Sequence, residues 1–368
     1  MRSRSLVLGI LALGAFGLTA CTDETTTEPS RAAEPGSTAP ELAVAGNTWI
    51  TRAKMPTSWT GVATATVTNA AGQSIVYAIG GRNPIWFNPQ ATVTAYNAAT
   101  NTWTLRQPLP VRLASTNGAG VIKGKIYISG GCTDHACFFP TDALYVYDPA
   151  TNTWTQKRSI PVDTFPDPWD FKHAYGNGVT GVINDKLYVV SGCFEADPPH
   201  GYFESCAPLF YRYNPATDRW TQLPPPSTVV GTDDWGSAFL GGVIDGKFYV
   251  MGGMHWSGGA WFAVYDPATN KWTKLTTGFA KSRYGAASAV IGSKLYVIGG
   301  TRYNANTDGF DILAVTVRYD PTTGTWTRLA DLPSPRTGIA ASRIYLNGKA
   351  RIEVVGGSGT GNNLQYTP

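Results

Sequence analysis

Short hydrophobic segments recur along the chain, and each ends in a glycine pair or a close equivalent of one. These doublets are Gly80-Gly81, Gly130-Gly131, Ser191-Gly192, Gly252-Gly253, Gly299-Gly300 and Gly356-Gly357. A variable stretch follows each of the first five, then a Tyr-Asp or Tyr-Asn pair, then Trp. The framework tryptophans are Trp49, Trp103, Trp154, Trp220, Trp272 and Trp326. Tyr precedes Trp by seven residues in five units, whereas successive tryptophans are 51 to 66 residues apart. A fixed spacing inside a variable period indicates a rigid hairpin joined by loops of unequal length.

A second hairpin is predicted just before each of the later doublets. The dipeptides at its turn suit two-residue turns with positive φ: Lys123-Gly124, Asn184-Asp185, Asp245-Gly246, Gly292-Ser293 and Asn347-Gly348. A Tyr stands three residues before most doublets, but Glu353 takes that place in the last unit. The pattern therefore predicts short strands joined by tight turns.

Composition agrees with an all-β chain. The 41 Gly, the 12% aromatic content and the 15% charged content leave few of the charged residues that long helices use. Because 43% of the residues are hydrophobic, most of the chain can bury a core. The net charge is only +4, and no Lys/Arg run exists, so no nucleic-acid partner is expected.

These repeats resemble the kelch repeat, whose propeller blades carry the glycine pair, the Tyr and the Trp at these places. The resemblance covers Asn47 to Pro368, and Ser191 and Ala98 depart from it. The last unit lacks its Trp, while an unmatched Trp49 stands at the other end. The resemblance thus implies an all-β, six-bladed kelch-type β-propeller, closed by an N-terminal strand that joins the C-terminal blade.

The first 45 residues do not share the repeat. Arg2 and Arg4 precede a twelve-residue apolar stretch that is too short to span a bilayer, and Leu18-Thr19-Ala20-Cys21 follows. This segment resembles a bacterial lipobox, although an ordinary signal peptide with a chance Cys is the alternative. We therefore expect a lipoprotein signal peptide at 1–20, a lipidated Cys21 with a disordered tether at 21–45, and the propeller at 46–368. The protein would be exported and lipid-anchored to a bacterial membrane, in the periplasm or at the cell surface.

One face of the propeller collects the long loops, and loops of that length are usually functional. Six tryptophans outside the framework fall in or beside it: Trp59, Trp86, Trp169, Trp235, Trp256 and Trp261. All four histidines fall there as well. Either the loops form small aromatic cores of their own, or some of these rings stay exposed as a binding platform.

A further set of candidate ligand-binding residues stands where each innermost strand begins, near the central channel. It consists of Trp59, Arg112, His173, Asp234 with Trp235, Arg283 and Arg336. Kelch propellers often place Arg at this position, and some use it to hold acidic peptide groups; stacking between blades is the alternative. The propeller part holds 26 basic and 20 acidic residues, which mildly favours anionic ligands.

Cysteines on the same face are expected to form disulfides. Cys132 and Cys137 flank one loop and Cys193 and Cys206 flank the next, so the two local pairs are favoured among three possible connectivities. The spacings match no zinc signature, and neither a metal nor a cofactor is expected.

Two functions fit these features. The first is a monomeric, membrane-tethered binding module that holds a glycan or a protein or peptide ligand on the long-loop face. The second is an exported sugar-processing enzyme, such as a mutarotase or epimerase of acidic sugars, with His173, Asp234 and the arginines around a deep central pocket. No catalytic motif is present, so the first is favoured.

Overall fold

The hydrophobic segments form strands, and the strands assemble into six four-stranded antiparallel sheets. The structure, a computed structural model, describes residues 46–57, 59–134, 141–161, 176–192, 209–230, 239–252, 261–276, 283–304, 306–358 and 363–368. All of them belong to one unit, Val44–Pro368.

Each sheet is one blade, built from the inner strand outwards in chain order. Blade 1 contains β2 (Ala63–Thr68), β3 (Ser74–Ile79), β4 (Val93–Asn97) and β5 (Thr102–Leu105). Blade 2 contains β6 (Ala119–Ile122), β7 (Lys125–Ser129), β8 (Leu144–Asp148) and β9 (Thr153–Lys157). Blade 3 contains β10 (Gly176–Ile183), β11 (Lys186–Gly192), β12 (Leu209–Asn214) and β13 (Arg219–Gln222), and α1 (Ser227–Val230) follows it.

The remaining blades follow the same order, with one insertion and one shared strand. Blade 4 contains β14 (Leu240–Ile244), β15 (Lys247–Met251), β16 (Phe262–Asp266) and β17 (Lys271–Leu275). Blade 5 contains β18 (Ala287–Ile291), β19 (Lys294–Ile298), β22 (Thr316–Asp320) and β23 (Thr325–Arg328), and carries the inserted ribbon β20 (Thr301–Asn304) and β21 (Gly309–Ile312). Blade 6 contains β24 (Ile339–Leu346), β25 (Lys349–Gly356), β26 (Asn363–Thr367) and the N-terminal β1 (Thr48–Arg52).

The N-terminal strand closes the ring. β1 pairs antiparallel with β26, so that Trp49 lies opposite Tyr366, as Trp103 lies opposite Tyr96 within blade 1. The inner strands contact one another in succession from β2 to β24, and β24 contacts β2. The six-bladed propeller with its shared closing blade is therefore confirmed.

Backbone conformation at the predicted hairpin turns agrees with the sequence. Both residues of all five dipeptides have positive φ, for example 49° at Asp245 and 75° at Gly246. This is the conformation of the tight turn whose twist matches that of the flanking strands. The first and second strands of these blades are thus joined at the face opposite the long loops.

Each framework tryptophan packs on the Tyr of its own blade and bonds to a neighbouring blade. The Tyr and Trp ring centroids are 4.9 to 5.3 Å apart in all six pairs. Every indole N–H donates to a main-chain carbonyl just beyond the outer strand of the preceding blade. The acceptors are Ala330 for Trp49, Ala53 for Trp103, Gln107 for Trp154, Arg158 for Trp220, Pro224 for Trp272 and Thr276 for Trp326. The Trp therefore joins neighbouring blades through both packing and a hydrogen bond.

The glycine pairs sit where one blade approaches the next. Gly81 and Gly300 donate their N–H groups to the carbonyls of Leu113 and Arg336, which lead into the following blade. An added Cβ at Gly300 would lie 2.7 Å from the Cβ of Ala286 and 3.0 Å from the carbonyl oxygen of Tyr284. Only glycine fits there, because the φ of 95° is also unfavourable for other residues.

Gly300→Ala is expected to lower the free energy of unfolding by about 2–4 kcal/mol, since backbone strain and overpacking add together. Urea denaturation checks this. Gly72→Ala is the matched control, because Gly72 has a φ of 73° but meets nothing within 4 Å. The control should cost only the strain of the left-handed conformation, about 1 kcal/mol. Equal losses in both variants would show that the close approach of Gly300 to Tyr284 and Ala286 contributes nothing.

Candidate functional site

A series of main-chain hydrogen bonds, here called the collar, links the starts of the inner strands of blades 5, 6, 1, 2 and 3. Gly338 donates to the carbonyl of Gly285, Gly61 to Gly338, Ser115 to Gly61 and Asn177 to Ser115, at N–O distances of 2.7 to 3.4 Å. All five residues have φ between 49° and 68°. The left-handed backbone turns each of these strand starts towards its neighbour, so these five blades are bonded in succession around the axis.

The channel inside this collar is small and neutral. Its cavity has a volume of about 250 Å³ and is lined by small residues of all six inner strands, such as Ala63, Thr180 and Ser288. No charged side chain lines it within the described residues. Backbone atoms and hydroxyls are the groups that this part of the channel offers to a ligand.

The predicted arginines do not line this cavity. Arg283 and Arg336 are each only 4% exposed, whereas Arg112 is exposed on the connection between blades 1 and 2. Both buried arginines approach the doublet Gly299-Gly300. The Nη1 of Arg283 donates to the Gly299 carbonyl at 3.2 Å, and the Arg336 carbonyl accepts from the Gly300 N–H at 2.8 Å.

Arg283 is a buried cation whose charge is poorly compensated. Among the described residues its guanidinium has no carboxylate partner, and its Nε has no hydrogen-bond acceptor. Burial lowers the pKa of Arg283 to about 10, and the positive charge of Arg302 acts in the same direction. Arg302 itself pairs with Asp311 at 3.2 Å. Burial also lowers the pKa of Arg336. Arg283 thus places a poorly compensated positive charge beside the Gly299-Gly300 doublet.

The aromatic candidates separate by exposure. Trp86 is 70% exposed at the tip of the loop between β3 and β4. Trp59 is half-buried and packs with Met55, Val62 and Val355 between blades 6 and 1. Its buried Nε1 has no acceptor among the described residues. Of the candidate tryptophans among the described residues, Trp86 is therefore the exposed one.

The assignment of Trp261 to a binding platform is wrong. Its side chain is 2% exposed and packs on Phe239, with ring centroids 5.5 Å apart. Gly252 makes room for it, since a Cβ there would lie 2.3 Å from the indole nitrogen. Trp261 therefore belongs to the core between blades 3 and 4. This agrees with the alternative stated for these tryptophans, in which the loops form small aromatic cores of their own.

Several predicted residues lie outside the described part of the chain. They are Cys21, Trp169, His173, Asp234, Trp235 and Trp256, together with Cys137, Cys193 and Cys206. Cys132 is fully buried and disulfide-bonded. The connectivity of the loops and the arrangement of His173 and Asp234 stay predictions.

Comparisons with known proteins agree with this architecture. A family model for the KLHDC2/KLHL20/DRC7 Kelch-repeats domain matches residues 178–366, and a Kelch motif model matches residues 115–160. The chain belongs to the kelch-repeat family. The solved structure of YjhT superimposes with a TM-score of 0.64 at 16% identity, covering 85% of this chain and 94% of that one, which shows the shared fold.

Two curated kelch proteins illustrate the extent of the similarity. Kelch-like protein terF of Aspergillus terreus is 29% identical over 290 residues, which is 77% of this chain and 58% of that protein. Kelch repeat and BTB domain-containing protein 12 of Homo sapiens is 28% identical over 189 residues, 49% of this chain and 28% of that protein. This kelch chain thus spans 58% or less of the length of these two relatives.

Metal-binding clusters and membrane-spanning helices are both absent from the described residues. These residues contain no cluster of three His, Cys, Asp or Glu side chains arranged to hold a metal ion. Within the same ranges, no helix has the length and the hydrophobicity needed to cross a bilayer.

Sequence reasoning missed the collar, although a signal for it exists. A glycine stands two residues after Trp59, after Arg283 and after Arg336, and these glycines are the collar residues of blades 1, 5 and 6. Ser115 and Asn177 take the same conformation in blades 2 and 3, so the pattern is incomplete in the sequence.

Proposed function

We propose that this kelch propeller is a binding module for a protein or peptide ligand that carries carboxylate groups. The ligand would lie across the long-loop ends of blades 5 and 6. Kelch propellers typically bind proteins, and both curated relatives named above are kelch proteins. The membrane tether at Cys21 and a glycan ligand are finer predictions from the sequence and belong to the same proposal.

The observation that carries the proposal is the burial of Arg283 beside Arg302 and Arg336. Burying a cation without a carboxylate partner is costly, and such a group gains most when an anion approaches it. A carboxylate can accept two parallel hydrogen bonds from one guanidinium.

The enzyme alternative gains no support from the described residues. It requires a deep pocket in which arginines reach one ligand together with His173 and Asp234. The cavity in the channel is lined by uncharged residues, and Arg283 and Arg336 lie buried beside it rather than in its lining. We therefore do not propose catalysis.

Arg283→Met is expected to weaken binding of acidic peptides by about ten- to hundredfold, because one charge-assisted hydrogen-bonded contact is lost. The peptide used to measure binding is first selected on a peptide array. On this array, every peptide that contains Asp or Glu is paired with its Asn or Gln counterpart. The wild-type protein should prefer the acidic member of each pair. An array of acidic and neutral glycans run alongside shows which ligand class is bound.

Stability separates a binding defect from a folding defect. Replacing a buried, unpaired cation by an apolar side chain of similar volume should leave the melting temperature unchanged or raise it. Arg343→Met is the matched control, since Arg343 is an exposed arginine on β24, near the opposite face. If Arg283→Met folds and binds as the wild type does, the proposed site is wrong.

A further inference from the structure

Three consecutive apolar side chains project from the loop between β3 and β4. Ile85, Trp86 and Phe87 are 72%, 70% and 57% exposed. We call these three residues the apolar tip. Isolated exposed apolar residues are common on protein surfaces, but a contiguous exposed group marks an interaction site.

The loop that carries the apolar tip satisfies its own backbone. The side-chain oxygen of Asn83 accepts from the N–H groups of Ile85, at 2.8 Å, and of Trp86, at 3.2 Å. The carbonyl of Asn83 accepts from the N–H of Phe87 at 2.8 Å, and its own N–H donates to Asn88 at 3.1 Å. Pro84 has no N–H to satisfy. Consequently all the amide donors from 83 to 87 are occupied inside the loop.

The loop is also fixed in shape. The Asn83 bonds close it into a turn, and Phe87 holds a φ of 54°, which is unfavourable for an aromatic residue. This turn holds the three apolar side chains in solvent, so the loop does not have to rearrange before they bind. The ordering cost of binding is thus already met in the folded protein.

The segment that carries the apolar tip is uncharged. No charged residue occurs between Arg82 and Arg106. Leu105 is 68% exposed and pairs with Thr94, so it lies at the same end of blade 1 as the apolar tip. On either side, the exposed Lys54 and Arg112 stand on the connections that enter and leave blade 1.

We propose that the apolar tip docks this propeller on a lipid bilayer by inserting into the headgroup region. Aromatic and aliphatic side chains partition into that region, and basic neighbours add attraction to anionic lipids. Backbone N–H groups must be satisfied internally wherever water is scarce, and Asn83 provides this. The tip is convex, so it fits a deformable surface without requiring a matching groove.

A groove on a partner protein is the alternative binding surface, and the hydrogen-bonding groups of the loop argue against it. Protein interfaces combine an apolar core with direct hydrogen bonds to the partner. The backbone N–H groups of the apolar tip are all used within its own loop, so burial of apolar surface is its main contribution. The proposal does not depend on the ligand site at Arg283, which lies on blades 5 and 6.

Vesicle binding tests the proposal directly. The chain from Thr22 onward keeps every described residue and lacks Cys21, which removes any covalent lipid. It is mixed with vesicles of phosphatidylcholine, or of phosphatidylcholine with phosphatidylglycerol, and the bound fraction is measured by flotation. We expect the wild-type chain to float with vesicles, more strongly with the anionic lipid. Ile85→Ser/Trp86→Ser/Phe87→Ser should bind at least about tenfold more weakly.

Two further variants test whether vesicle binding depends on the apolar tip itself. Phe310→Ser/Ile312→Ser removes two exposed apolar residues from the ribbon of blade 5 and should bind as the wild type does. Trp86→Phe should still bind but lose the fluorescence quenching that brominated lipids cause in the wild-type chain. A wild-type chain that stays soluble with both vesicle types would overturn the proposal, as would quenching that persists in Trp86→Phe. The first outcome would leave a protein groove as the occupant.

Discussion

Trp272→Ala is expected to lower the free energy of unfolding by about 3–5 kcal/mol, the cost of deleting a large buried aromatic side chain. Trp272 is 5% exposed, packs on Tyr265 with ring centroids 5.3 Å apart, and donates to the Pro224 carbonyl at 2.8 Å. The alanine variant loses this packing and leaves that carbonyl without the bond. Chemical denaturation followed by circular dichroism measures the change.

Trp86→Ala is the matched control for this substitution. It deletes the same side chain from a position that is 70% exposed, so its effect should stay within about 0.5 kcal/mol. The contrast isolates burial from residue type. A loss below about 1 kcal/mol in Trp272→Ala would contradict the view that the framework tryptophans hold neighbouring blades together.

Glu353 is expected to make the free energy of unfolding strongly dependent on pH, because its carboxyl is buried in the blade that closes the ring. It stands three residues before the glycine doublet of blade 6, where the other blades have Tyr, and it is fully buried. Gln365 donates to one of its oxygens at 3.0 Å, and the other has no partner among the described residues. Burial raises the pKa of Glu353 to about 8, against the opposing effects of the Gln365 hydrogen bond and of the nearby Arg52 and Arg351 charges.

The sign of the resulting pH dependence follows from linkage. The folded state keeps the Glu353 proton up to pH of about 8, whereas the unfolded chain releases it above its ordinary pKa of about 4.5. Between those values the unfolded state binds fewer protons, so rising pH favours unfolding. Stability from this residue is thus fully present below the ordinary pKa and falls until the pH reaches the folded-state pKa. A tenfold difference in proton affinity between the folded and unfolded states corresponds to about 1.4 kcal/mol.

Glu353→Gln should therefore be more stable than the wild type at pH of about 8 by about 2–4 kcal/mol, and nearly equal to it near pH 4.5. The glutamine keeps the shape and the polarity but cannot ionise. Melting temperatures across this pH range check the prediction. Asp185→Asn, at an exposed carboxylate, is the control and should show no such trend. A constant difference at all pH values would contradict a protonated buried carboxyl.

Much of the fold could be predicted because each repeat is specified by short patterns of residues that are close together in the sequence. The seven-residue spacing from Tyr to Trp corresponds to one turn, and the pairs Tyr147–Trp154 and Tyr265–Trp272 lie opposite each other across their strands. The positive-φ dipeptides specify the remaining hairpins. Ring closure followed from the unmatched Trp49, which pairs with Tyr366.

The candidate site was harder to predict because exposure depends on contacts between blades. Trp86 and Trp261 both follow a glycine doublet, but Gly252 opens space for Trp261, whereas the turn built on Asn83 holds Trp86 in solvent. The same limit applies to Arg112: Leu113, not Arg112, takes the place that Arg336 holds in blade 6, since the carbonyls of Leu113 and Arg336 accept from Gly81 and Gly300. Periodicity shows which face a residue lies on, and packing decides whether a ligand can reach it.

Hydrogen–deuterium exchange with and without a bound peptide tests the central claim most directly. The probe is the acidic peptide that binds the wild-type chain most strongly on the array. Added protection is predicted at Gly299-Gly300 and from Arg336 to Gly338, at the long-loop ends of blades 5 and 6. The turns between third and fourth strands, such as 148–153 and 266–271, should exchange as before. Protection at those turns, with none at Gly299-Gly300, would contradict a ligand site on the long-loop face.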